Sequence, residues 1–82
     1  MIIVWDEPKR RLNLSKHSID FADIGLDFFQ TATIVEAHSD RWFAVGYLNG
    51  VVVVIFAYLG TEGISIISVR PASRKERSYY GQ

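Results

Sequence analysis

Lys9, Arg10, Asn13, Lys16 and His17 follow one another at steps of one, three, three and one. At 100° per residue those steps place all five side chains within an arc of about 120° on a helix, with Leu12 and Leu14 flanking it. Three cations, an amide and an imidazole on one face suit an anionic ligand. The cations neutralise charge, the amide donates and accepts, and an imidazole exchanges protons near neutral pH. A second set stands near the far end of the chain: Ser68, Arg70, Arg74, Lys75, Arg77 and Tyr80. Guanidinium forks match the non-bridging oxygens of phosphate, and a tyrosine ring can stack on an unpaired base. Together the two sets are residue types that could hold an anionic, phosphate-bearing ligand. Plainer roles are open to the same residues. Lys9 and Lys16 could lie on a solvated helix face, and His17 could simply satisfy a helix C-terminus. Arg70 could form a surface ion pair with Asp6 or Glu76. Asn13 could bond backbone to hold two helices together, and Ser68 could be structural.

Charge counting favours a site. The 82-residue chain has a formal net charge of zero, with nine Lys and Arg against nine Asp and Glu. Residues 1 to 17 and 70 to 82 together hold eight of those cations against Asp6, Glu7 and Glu76, a balance of +5. The middle holds Arg41 against six acids, a balance of −5. If the two ends meet in space, a neutral chain acquires a basic face, the electrostatic requirement for binding phosphates.

The elements that must position these residues can be read from the pattern. At 82 residues and 49% hydrophobic content the chain is large enough for one modest core, a single domain over 1–82. Ile2 to Trp5 forms a short strand, and Asp6 caps a helix running to Lys16 or His17, with Pro8 in its first turn. Asp20 caps a second helix that buries Phe21, Ile24 and Phe28 at positions i, i+3 and i+7. Strands follow over Thr31 to Ala37 and Trp42 to Leu48. Asn49-Gly50 then makes a type I′ hairpin turn into Val51 to Leu59, an apolar run read as buried throughout. The last strand runs from Ile64 to Arg70. Strict alternation would put Ile64, Ile66, Ser68 and Arg70 on one side, with Ser65, Ile67 and Val69 on the other. Pro71 ends it, and Ser73 to Glu76 makes a capping box that opens a short terminal helix. The expected fold class is α+β: a short N-terminal strand, two helices, three to four mostly antiparallel strands and a short C-terminal helix.

Several classes fall away. The chain has no cysteine, so disulfides and thiolate metal ligands are excluded. Neither a carboxylate cluster nor a His pair at ligand spacing is present, and no metal or cofactor is expected. The apolar run from Val51 to Leu59 is far shorter than the roughly 20 residues of a spanning helix, so no membrane partner is expected. The first residues lack a secretory pattern, and the cytoplasm is the expected compartment.

Trp5, Asp6, Lys9, Asn13, Lys16, His17, Ile19 and Phe21 follow the pattern W-D-x-x-K-x-x-x-N-x-x-K-H-G, then a hydrophobic residue and Phe. Ile67, Ser68, Arg70, Ala72, Ser73 and Glu76 follow I-S-A-R-x-A-[ST]-x-x-E, with Tyr80 in register and Asp40-Arg41-Trp42 and Gly46 between the two motifs. These patterns resemble the BrnT toxins of bacterial type II toxin-antitoxin modules, relatives of the RelE-like ribonucleases. The chain departs from them at Ser18, where the family has Gly, and at Val69 and Pro71. The resemblance implies a RelE-like fold and a metal-independent endoribonuclease that inhibits translation. It also implies a ribbon-helix-helix, BrnA-like antitoxin, joined in a heterotetramer through antitoxin dimerisation, with operator DNA contacted only through that partner. On this reading Arg70, Lys9, Lys16 and His17 are the catalytic candidates. Arg10, Asn13, Ser68, Arg74, Lys75, Arg77 and Tyr80 are the candidates for binding the RNA substrate. The alternative is a non-catalytic module that binds RNA or the antitoxin.

Overall fold

The computed structural model describes residues 1–80; residues 81 and 82, the end of the domain expected over 1–82, lie outside the described residues. The order of elements is β1 (Ile2–Trp5), α1 (Glu7–His17), a 3-10 turn (Phe21–Asp23), α2 (Leu26–Thr31), β2 (Thr33–Glu36), β3 (Trp42–Tyr47), β4 (Val51–Leu59), β5 (Gly63–Pro71) and α3 (Arg74–Arg77). The five strands form one sheet in the order β1-β5-β4-β3-β2. All pairs are antiparallel except β1 with β5, so the fold is α+β with a mostly antiparallel sheet.

The parallel pairing of β1 with β5 joins the two ends of the chain and lays α1 against β5. The basic segments that straddle the sequence therefore meet around one strand. On one face of the sheet, Phe21, Ile24 and Phe28 pack on Ala44, Val52, Val54, Phe56, Ile64, Ile66 and Val69. Burial of one such Phe contributes about 1.5–3 kcal/mol. The other face carries Val45 and Val53, which are also fully buried, and the segment containing α3 crosses it. Thr33 Oγ1 donates to the Tyr79 carbonyl at 3.0 Å and pins that segment to β2.

The structure corrects four readings of the pattern. The second helix is divided: Asp20 caps only the 3-10 turn, accepting from the Ala22 N–H at 3.0 Å. α2 starts afresh after Gly25, whose extended backbone (φ −107, ψ −176) breaks the helix while the three apolar anchors stay buried. α2 also takes Thr31, so β2 begins at Thr33. β4 is buried at Val52, Val53, Val54 and Phe56 but only partly at Val51, Ile55 and Ala57, and its end at Tyr58 and Leu59 is exposed.

The fourth correction concerns the site. Ile55 pairs with Ser68 but Phe56 pairs with Ile66, so Ile67 is an extra residue in β5, a β-bulge. Beyond it the alternation inverts. Val69 joins Ile64 and Ile66 on the core face, while Arg70, opposite Val53, turns to the other face. The tight turn between β3 and β4 has positive φ at both Asn49 (53°) and Gly50 (131°), as a primed hairpin turn requires.

Candidate active site

α1 begins where Asp6 accepts from the Lys9 N–H at 3.3 Å and Glu7 places a carboxylate in the first turn. Glu7 also accepts from Trp5 Nε1 at 3.1 Å and from Arg10 Nε at 2.6 Å. The other end of the Arg10 fork reaches both oxygens of Asp20 at 3.2 Å. The bond from Arg10 holds the Glu7 carboxyl below its ordinary range, and the Ala22 N–H does the same for Asp20. The two carboxylates, Glu7 first, push the Arg10 guanidinium above its usual range. Arg10 thus sits between two acids and ties the helix to the turn that follows it.

Asn13, 7% exposed, is the one buried polar side chain among the described residues. Its Oδ1 accepts from the Val69 N–H at 3.1 Å and from Ser68 Oγ at 3.2 Å, while its Nδ2 donates to the Ile19 carbonyl at 3.2 Å. The need for it follows from the topology. β1 pairs with β5 only up to Ile66, so the Val69 N–H at the continuing edge requires another acceptor. α1 otherwise buries little, with Leu12 68% exposed and Leu14 half-exposed. A polar clamp, more than an apolar stripe, seats this helix.

Between α1 and β5 lies a groove of about 250 Å³, lined by Lys9, Leu12, Asn13, Lys16 and His17 from the helix and Ile67 and Ser68 from the strand. Lys9, Lys16, His17 and Ser68, four residues singled out from spacing and motif, therefore meet in one place with Asn13 beneath them.

Arg70 does not line this groove. It lies on the opposite face with its guanidinium 5.8 Å from the centre of the Phe43 ring, a cation–π distance. Its Nη1 and Nη2 donate to the two oxygens of Glu76 at 2.7 and 2.8 Å. Of the two acids considered as plainer partners, Glu76 is the one it meets. Glu76 also accepts from the Ser73 N–H at 2.9 Å and completes the capping box of α3. The Arg70 fork, with the Ser73 N–H, lowers the Glu76 pKa to about 2, and Glu76 in turn raises that of Arg70.

The rest of the second set is spread over α3 and beyond. Lys75 lines a recess with Val35, Phe43 and Tyr79, and Arg77 reaches a groove that also contains His17. Arg74 is exposed, and Tyr80 is half-buried with its N–H donating to the Arg77 carbonyl at 3.1 Å. Sequence reasoning missed Glu7, Asp20 and Phe43 as partners of the cations. Glu7 three residues before Arg10 was the available signal; Phe43 follows only from strand register. Among the described residues no three His, Asp or Glu side chains gather as metal ligands, and no helix is long and apolar enough to cross a membrane.

Residues 5–76 match the family described as the ribonuclease toxin BrnT of type II toxin-antitoxin systems. No curated protein matches the chain. Among solved structures, the 1.1 Å crystal structure of the Brucella abortus ribonuclease toxin BrnT is similar, with 45% sequence identity and a TM-score of 0.84. The match covers 90% of this chain and 99% of that one. With both motifs inside the matched span and the same fold carried through, the chain belongs to the BrnT family of ribonuclease toxins of type II toxin-antitoxin systems.

Proposed function

We propose that the chain is an endoribonuclease that cuts RNA with side chains alone, in the groove between α1 and β5. The observation that carries this reading is the convergence of Lys9, Lys16 and His17 beside Ser68. In the proposed reaction the 2′-oxygen attacks the adjacent phosphorus and the P–O5′ bond breaks, leaving a 2′,3′-cyclic phosphate and a 5′-hydroxyl. His17 takes the 2′ proton. Lys9 and Lys16 oppose the charge developing on the phosphoryl oxygens, and one protonated lysine supplies the proton to the departing O5′. Arg70 lies two residues past Ser68, roughly 7 Å along the strand. Held by Glu76, it keeps an Nε edge without a partner among the described residues, and that edge binds a flanking phosphate. Arg74 and Lys75 follow the RNA backbone, Arg77 meets the RNA at the recess beyond His17, and Tyr80 stacks on a base. Asn13 and Arg10 are positioning residues, since their polar atoms are engaged within the fold. The activity inhibits translation in the cytoplasm until a ribbon-helix-helix, BrnA-like antitoxin binds, in a heterotetramer that meets operator DNA through the antitoxin.

The test is cleavage of a defined RNA by purified protein in EDTA. The wild type should cut and leave cyclic phosphate ends, and Lys9→Ala, Lys16→Ala and His17→Ala should each slow cleavage by about 10²-fold or more. Loss of wild-type cleavage on adding EDTA, or cleavage at the wild-type rate by all three variants, would overturn the reading. The Arg70–Glu76 pair supports a second reading, in which that face serves the antitoxin. Arg70→Ala that binds the antitoxin less tightly but cleaves normally would assign Arg70 to the partner.

A further inference from the structure

His17 lines two recesses: the cationic groove beside β5 and a larger one of about 400 Å³ at the end of the sheet. The larger recess lies between the end of α1, the 3-10 turn, the β3–β4 hairpin tip and the end of β5. Its walls include Ile19, Leu48, Val52 and Pro71, with Asp23 and Arg77 also lining it. Asp20 lines it too, but its oxygens already accept from Arg10 and from the Ala22 N–H. Among the described residues the ion pairs are Arg10–Glu7, Arg10–Asp20 and Arg70–Glu76. Asp23 and Arg77 form none, with each other or with a neighbour, and their side chains make no hydrogen bond there.

Two carboxylates make this recess a poor phosphate site. Walls that combine apolar side chains with Asp23 as an acceptor and Arg77 as a donor, and with the polar side chains of His17, Ser18 and Asn49 beside them, suit a flat, uncharged ring that carries both hydrogen-bond types. An RNA bound in the cationic groove has such rings one nucleotide away. The chemistry of the free pair selects among the bases. A carboxylate only accepts, and guanine is the one base with two adjacent donors, N1–H and the N2 amino group, on a single edge. Its O6 and N7 are acceptors for a guanidinium fork. Adenine and cytosine place a ring acceptor beside their amino group, where it would face the carboxylate; uracil flanks its one N–H with carbonyls. The frame of the recess is set by backbone geometry, with Ser18 at φ 59, Asn49 at φ 53 and the ring of Pro71 on three sides.

We propose that this recess is a base-reading subsite that takes guanine next to the cleaved phosphate, with Asp23 accepting from N1–H and N2 and Arg77 donating to O6 or N7. The proposal rests on the RNA-cleaving reading above, and two experiments separate their failures. In the first, the intact chain is titrated with guanosine, adenosine, cytidine and uridine 3′-monophosphates and followed by amide NMR. Guanosine 3′-monophosphate should bind about tenfold more tightly than the others and shift the Asp23, Asn49 and Gly50 signals, and Asp23→Asn should remove the preference. Equal affinities for all four, or a preference unchanged in Asp23→Asn, would overturn the subsite. In the second, RNA oligonucleotides with a single guanosine at varied positions are cleaved by the wild type and by Asp23→Asn. Wild-type cuts should track the guanosine and the variant's should not; wild-type cuts independent of it would overturn the proposal. Failure of the wild type to cut any RNA would overturn the nuclease reading, with the titration still deciding the subsite.

Discussion

Replacement of Ser18 by glycine should stabilise the protein. Ser18 ends α1 in the left-handed region, at φ 59 and ψ 29, with its N–H donating to the Leu14 carbonyl at 2.9 Å. A side chain in that conformation costs roughly 1–2 kcal/mol relative to the right-handed one, through the contact of Cβ with the backbone. Glycine removes this cost but loses about 0.5–1 kcal/mol more conformational entropy on folding. The Ser18 hydroxyl makes no hydrogen bond among the described residues, so nothing further is lost. The net gain is about 0.5–1 kcal/mol. For 82 residues, an unfolding entropy of roughly 2.1 cal/mol/K per residue converts that gain into a rise of about 3–6 °C in Tm. Thermal unfolding followed by circular dichroism, alongside urea unfolding, measures it directly. Ser18→Val supplies the opposite control: a β-branched residue fits the left-handed region worse than serine, and its Tm should fall. A Tm for Ser18→Gly at or below that of the wild type would refute the account of this helix end.

Two further outcomes follow from the clamps on either side of β5. Asn13→Ala should lower stability by about 2–3 kcal/mol in urea unfolding, because the Val69 N–H and the Ile19 carbonyl lose their partner. A loss under about 0.5 kcal/mol would contradict the role given to that amide. Glu76 has its folded pKa depressed from 4.5 to about 2, so its contribution is present above pH 4.5 and is lost as the pH falls through 2. Wild type should therefore lose more stability than Glu76→Gln between pH 6 and pH 3, as measured by denaturation midpoints at each pH. Equal losses would show that the pair with Arg70 contributes nothing in that window.

The cluster at Lys9, Asn13, Lys16 and His17 was legible because a helix converts spacing into direction without help from the rest of the fold. The hairpin at Asn49-Gly50 and the capping box at Ser73 were legible for a similar reason: each is decided within four residues. The parallel pairing of β1 with β5 was not, although the meeting of two basic ends depended on it, since pairing is a long-range event. Asn13 shows a different limit. Its residue type fits a phosphate ligand as well as a backbone clamp, and only the end of β1 at Trp5 shows that the edge of β5 needs an acceptor. Arg10 reads as a free cation until the turn after α1 brings Asp20 to it. Gly25 broke a helix that the apolar spacing carried straight through, because that spacing records which side is buried and not whether the backbone is continuous.

The extra residue at Ile67 makes the strand behave like two reading frames joined by a one-letter insertion. Upstream, even positions belong to the core; downstream, odd ones do. The tripeptide Ser68-Val69-Arg70 is therefore addressed by its distance from the bulge and not from the start of the strand. A substitution anywhere in it changes one side chain. Removal of Ile67 would exchange the two sides of everything after it, sending Val69 out toward Phe43 and aiming a guanidinium at the space beneath Phe21. The motif's fixed spacing is thus a statement about handedness of placement as much as about chemistry.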